Sequence, residues 1–83
     1  MAKRRINVRG SVISVTYPGT SHAPNVTVSL QVGNVVLRLV FMSRRQLHAI
    51  DIGQSLNVRG NLVTVEGVPT LFNPSYSILP EEA

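Results

Sequence analysis

Arginine is the residue of this chain best equipped for chemistry. Arg9 and Arg59 hold the same place in two copies of Asn-Val-Arg-Gly, at Asn7–Gly10 and Asn57–Gly60. Arg38 stands between Val36 and Val40 in an alternating stretch, and Arg44 and Arg45 are adjacent. A guanidinium is permanently charged, forks onto phosphate or carboxylate oxygens, and stacks on planar rings. The chemistry on offer is therefore recognition of an anion. The groups that catalysis needs are scarce. There is no cysteine, the histidines are His22 and His48, and the acids are Asp51, Glu66, Glu81 and Glu82. No spacing among them suggests a nucleophile with its base, a carboxylate pair or a metal site, and no glycine-rich phosphate loop occurs. The expectation is a protein that is not an enzyme, with no cofactor and no metal.

The formal net charge is +4 and the sequence pI is about 10.8. Lys3, Arg4 and Arg5 read as a basic N-terminal arm over residues 1–5, and Glu81 and Glu82 as part of an acidic tail over 80–83. Between them, Arg9, Arg38, Arg44, Arg45 and Arg59 face only Asp51 and Glu66. Excess arginine suits a polyanionic partner, although a charge of this size also serves solubility. With 83 residues the chain is read as one domain, 1–83. No run of apolar residues is long enough to span a membrane. The N-terminus leads into alternating sequence and does not read as a secretory signal, so a cytoplasmic location away from membranes is expected.

The elements that must position these arginines are strands. The twin segments continue past the motif, as Ser11-Val12-Ile13-Ser14-Val15 and Asn61-Leu62-Val63-Thr64-Val65. In both, apolar residues sit at even positions (Ile6, Val8, Val12; Leu56, Val58, Leu62) and then change phase (Ile13, Val15; Val63, Val65). A phase slip beside a glycine reads as a bulge or strong bend, which the corners of a small closed barrel require. The first strand is placed from Ile6 to Tyr17, followed by a loop at Pro18–Pro24. Val26, Val28, Leu30 and Val32 alternate with Thr27, Ser29 and Gln31 in a half-buried second strand. Gly33-Asn34 turns into a third strand, Val35 to Met42, with Val35, Leu37, Leu39 and Phe41 inward and Val36, Arg38 and Val40 outward. Ser43-Arg44-Arg45-Gln46 has capping-box spacing and opens a helix of about two turns, carrying Leu47 and Ile50 on one face and ending at Gly53. The second twin strand, Gln54 to Val65, turns at Glu66-Gly67. The last strand, Pro69 to Ile78, is interrupted at Asn73-Pro74, where proline cannot donate to a ladder.

The predicted fold is all-β: a five-stranded Greek-key OB-fold barrel with one short helix between strands 3 and 4. A five-stranded barrel of SH3-like topology has the same periods and remains the alternative. In the OB order the first and fourth strands are neighbours, so the twin segments should lie side by side.

Ser43-Arg44-Arg45-Gln46-Leu47-His48-Ala49-Ile50-Asp51-Ile52-Gly53, then Val58-Arg59-Gly60 and Asn73-Pro74-Ser75-Tyr76, resemble a family of small bacterial, actinobacterial-type OB-fold proteins. These are described as nucleic-acid-binding modules of the anticodon-binding type, similar also to OB domains of RecG-like helicases and replicative polymerases. The resemblance spans residues 6–79. It departs from the family at the helix start, where Ser43 replaces the usual glycine. It implies a nucleic-acid-binding role, which for this family is itself inferred from the fold.

Candidate contact residues follow from these placements. Arg38, with Thr27 and Ser29 on the neighbouring strand, faces outward on the usual OB binding surface. Arg9 and Arg59 form one basic spot if the twins pair. Tyr17 stands at the mouth of the first loop, and His22 lies within it; both can stack on a base, though tyrosine also serves as a strand end and loop histidine as a solvated group. Phe72 precedes the Asn-Pro break, where it is either core or exposed. Arg44 and Arg45 oppose the helix dipole, which hints at an anionic demand. Phe41 and Tyr76 read as packing residues. With so few aromatics, binding of single-stranded DNA or RNA is expected to be led by phosphate contacts. The alternative is a protein–protein interaction module, seated on Val36 and Val40, or an accessory subunit of a replication, repair or helicase assembly; a homo-oligomer is a further possible partner state.

Overall fold

The computed structural model describes residues 4–17, 25–42 and 50–80. They form six strands: β1 (Arg4–Thr16), β2 (Val26–Val32), β3 (Val35–Phe41), β4 (Ser55–Val65), β5 (Val68–Phe72) and β6 (Ser75–Ile78). Around the sheet the order is β1-β2-β3-β5-β4, and β4 returns to pair with β1, closing a five-stranded barrel. All pairings are antiparallel except β3 with β5, which is parallel. This is an OB-like barrel. β6 continues the line of β5 beyond Asn73-Pro74 and pairs with the first half of β4.

The bends that close the ring are where the phase slips put them in β1. Its first half, Arg4 to Ser11, pairs with β4, and its second half, Ser11 to Thr16, pairs with β2. The register with β2 shifts between Val12 and Ser14, so Ile13 is the bulged residue and points to solvent. Gly10 sits at the changeover because nothing larger fits. A Cβ there would come within 2.5 Å of the Gln31 carbonyl oxygen and 2.8 Å of the Leu30 and Val32 side chains. In β4 the change is made by the partner. Leu56–Arg59 meet β6, and Leu62–Val65 meet β5.

The turns follow local chemistry. Gly33 takes φ 58° between Val32 and Val35, which pair across the β2–β3 hairpin. Glu66 and Gly67 both take positive φ, as a two-residue hairpin twisted like its strands requires. Asn73 takes φ 48°, its N–H donates to the Val40 carbonyl, and its Oδ1 accepts from Met42 N at 2.8 Å. The Asn-Pro element is thus a clamp that ties the end of β3 to the break between β5 and β6.

The core is built from Val12, Val26, Val28, Leu30, Leu37, Leu39, Phe41, Ile50, Leu56, Val58 and Leu71. Tyr76 packs against it, edge-on to Phe41 with ring centroids 5.5 Å apart. Three expectations are corrected. Val35 is 51% exposed and Val40 is 8% exposed, the reverse of the expected burial, although each keeps its face in the alternation. Val35 is left uncovered because β5 joins β3 only from Arg38 onward, so the start of β3 extends beyond the barrel wall. β1 begins at Arg4, and Arg4 and Arg5 pair with Leu62 and Asn61; they are ladder residues and not part of a free arm. The expected helix falls mainly on Ser43–Ala49, outside the described residues. The part that is described, Ile50–Gln54, is a turn and not a helix. Gln54 N donates to the Asp51 carbonyl, Asp51 N donates to Gln54 Oε1, and Gly53 takes φ 94°.

Candidate functional site

The barrel distributes the expected contact residues over two sectors of its outer wall. The first crosses β1, β2, β3 and β5. Register sets Ser14, Ser29, Arg38 and Thr70 in one row, and Thr16, Thr27, Val40 and Phe72 in the next. Arg38 is half-buried, with the half-buried Ser29 opposite it on β2 and Thr70 opposite it on β5. Thr70 is fully buried, its Oγ1 donating to the Val68 carbonyl at 2.9 Å. Phe72 is 46% exposed, and Tyr17, just past the end of β1, is 48% exposed. Both rings offer area for stacking. Arg38, Thr27, Ser29 and Phe72 are thereby brought onto one surface. His22, Arg44 and Arg45 lie outside the described residues.

The second sector is the seam where the twins meet. They pair antiparallel and in register: Asn7 with Arg59, Val8 with Val58, Arg9 with Asn57. Each motif's asparagine therefore faces the other motif's arginine. Arg5 opposite Asn61 and Ser11 opposite Ser55 extend the ladder at either end. The valines point inward and Val58 is fully buried, while Arg5, Asn7, Arg9, Arg59 and Asn61 are exposed. Asn57 Nδ2 donates to Asn7 Oδ1 at 2.9 Å, linking the two copies directly. β6 adds Ser75 beside Arg59 and Ser77 beside Asn57. Among the described residues no acid joins this face; Asp51 and Glu66 sit in the turns that precede and follow β4. A groove of about 850 Å³ flanks it, lined by Arg9, Gln54, Ser55, Ile78, Leu79 and Pro80.

Arg9 and Arg59 are thus gathered as one basic spot, and Arg5 joins them. Arg38 belongs to the other sector. Sequence reasoning singled out the arginines of the seam and passed over Asn7, Asn57, Asn61, Ser75 and Ser77. Their signal was the alternation itself, which sets every second residue of these segments on the arginines' face. Among the described residues no cluster of histidine and acids with metal-binding potential forms, and no helix is long and apolar enough to cross a membrane. No protein-family model matches this chain, and no curated protein matches it either.

Proposed function

We propose that this barrel is a non-catalytic module that binds single-stranded nucleic acid, mainly through its phosphates, on the wall formed by β2 and β3. The observation that carries the reading is Arg38 on the outer wall opposite Ser29, one step along from Thr27 and the exposed ring of Phe72. A cation among short hydroxyl side chains lets a phosphate approach closely, and a neighbouring aromatic face accepts a base. The likeness of the Asn73-Pro74-Ser75-Tyr76 and Val58-Arg59-Gly60 elements to small OB-fold nucleic-acid-binding proteins points the same way. The net charge of +4 supports attraction to a polyanion.

Titration of labelled oligo-dT and oligo-U tests this. For each phosphate contact that a cation makes, log affinity should fall by roughly 0.7 per log unit of salt. A titration insensitive to salt refutes the phosphate-led mechanism. Arg38→Ala should weaken binding more than Lys3→Ala, and equal effects count against the β2–β3 wall. A protein-interaction role draws on the exposed pair Val35 and Val36 at the start of β3. Amide shifts unmoved by either oligonucleotide would favour that role.

A further inference from the structure

The twin motifs give the seam a symmetry that a single strand has no use for. Asn7 faces Arg59 and Arg9 faces Asn57, so a local two-fold axis passes between Val8 and Val58 and exchanges one motif with the other. The outer face presents the same order of asparagine and arginine when read from either end. A single nucleic-acid strand has a direction and makes different contacts with the two halves of such a surface. A duplex has antiparallel strands related by two-fold axes along its length, so equivalent groups meet equivalent groups.

We infer that the β1–β4 seam docks double-stranded nucleic acid, with its local axis on an axis of the duplex. The dimensions agree. Two or three strands spaced about 4.8 Å apart make a ribbon about 10 Å wide, close to the roughly 12 Å of a B-form major groove, which admits antiparallel β-ribbons. The residue types agree as well. Arginine pairs in bidentate fashion with guanine and asparagine with adenine at major-groove edges. The hydrogen bond from Asn57 to Asn7 uses Asn7 Oδ1 and one Asn57 N–H, so the Asn7 amino group and the Asn57 carbonyl oxygen are not consumed by it. Diagonal neighbours across an antiparallel pair stand about 7–8 Å apart, so Arg9 and Arg59 reach separate sites on the duplex. Backbone contacts come from the flanks. From Arg4 to Gly10, β1 pairs only with β4 among the described residues, leaving its other edge free, and β6 presents the Ser75 and Ser77 hydroxyls on the far side. Peptide N–H and hydroxyl groups are standard phosphate donors. With no acid on the face, nothing described there repels the polyanion.

The site is separate from the β2–β3 wall, and the two readings fail separately. The test is fluorescence anisotropy with a labelled duplex of about 20 base pairs, two helical turns, and with oligo-dT of equal length. Wild type, Arg9→Gln/Arg59→Gln, Arg9→Lys/Arg59→Lys and Arg38→Ala are compared, each checked by its thermal melt. The glutamine pair should lose roughly tenfold or more in duplex affinity, as expected for two lost arginine contacts, while oligo-dT binding changes little. The lysine pair should keep the salt dependence and lose preference among duplex sequences. Arg38→Ala should spare the duplex. The inference is overturned if wild type ignores duplex, if the glutamine pair binds it normally, or if that pair weakens both ligands equally, which would mark one diffuse electrostatic surface.

Discussion

Gly10 and Gly60 hold the same position in the twin motifs but answer to different constraints. Gly10 is pressed against the Gln31 carbonyl, a backbone atom that cannot swing away, whereas a Cβ on Gly60 would meet Pro74 at 3.5 Å, an ordinary contact. Gly10→Ala should therefore cost about 1–3 kcal/mol through overpacking at the corner. For a domain of this size, melting should fall by roughly 4–8 °C per kcal/mol. Gly60→Ala should be neutral, or stabilising by up to about 1 kcal/mol through the unfolded chain. Thermal unfolding of the two variants checks the contrast; equal losses would mean that the repeat and not the local crowding sets the demand. The motif itself was plain in the sequence. Which glycine is indispensable was not, because that depends on how near a third strand passes.

At the scale of the element, β3 shows where alternation succeeds and where it runs out. Period two correctly set Leu37, Leu39 and Phe41 inward and Arg38 on the outer wall. It could not tell that β5 begins to pair only at Arg38, so it missed the exposure of Val35, and it also missed that Val40 is buried on its own outer face. Alternation reports the face of a residue, while burial also depends on how far the neighbouring strands extend. Val35→Thr should change stability by less than about 0.5 kcal/mol, as surface exchanges do. Val40→Thr should cost about 1–3 kcal/mol, because it adds a hydroxyl to a buried position. Denaturant midpoints of the two variants measure the difference, and similar values would contradict the placement of β3. The same limit explains Arg4 and Arg5. Their charge suggested a solvated arm, and only the length of β4 opposite them makes them ladder residues.

For the whole molecule, the decisive inference from sequence was that two similar segments far apart in the chain are neighbours in space. It holds because antiparallel pairing of a repeat with itself fills both sides of a seam with matched residues, valine against valine inside and arginine against asparagine outside. Strand order and the break at Asn73-Pro74 were legible for a similar reason, each being marked by a residue with a strict backbone demand. The division of cations between two sectors was not legible, since it depends on the path of the chain around the ring.

Closure through that seam also sets an order of events. The β2–β3 hairpin joins residues close in the chain, but Asn7 and Asn57 are separated by 50 positions. Bringing distant segments together loses chain entropy before any contact offsets it, so such pairings tend to form late. Kinetic φ-values should accordingly be high for Leu30→Ala and Leu37→Ala and near zero for Val8→Ala and Val58→Ala. The reverse pattern would place nucleation at the seam. If the seam is last to knit, it is also the piece missing from every partly folded intermediate, and a nascent chain acquires its arginine–asparagine lattice only after the fourth strand has left the ribosome.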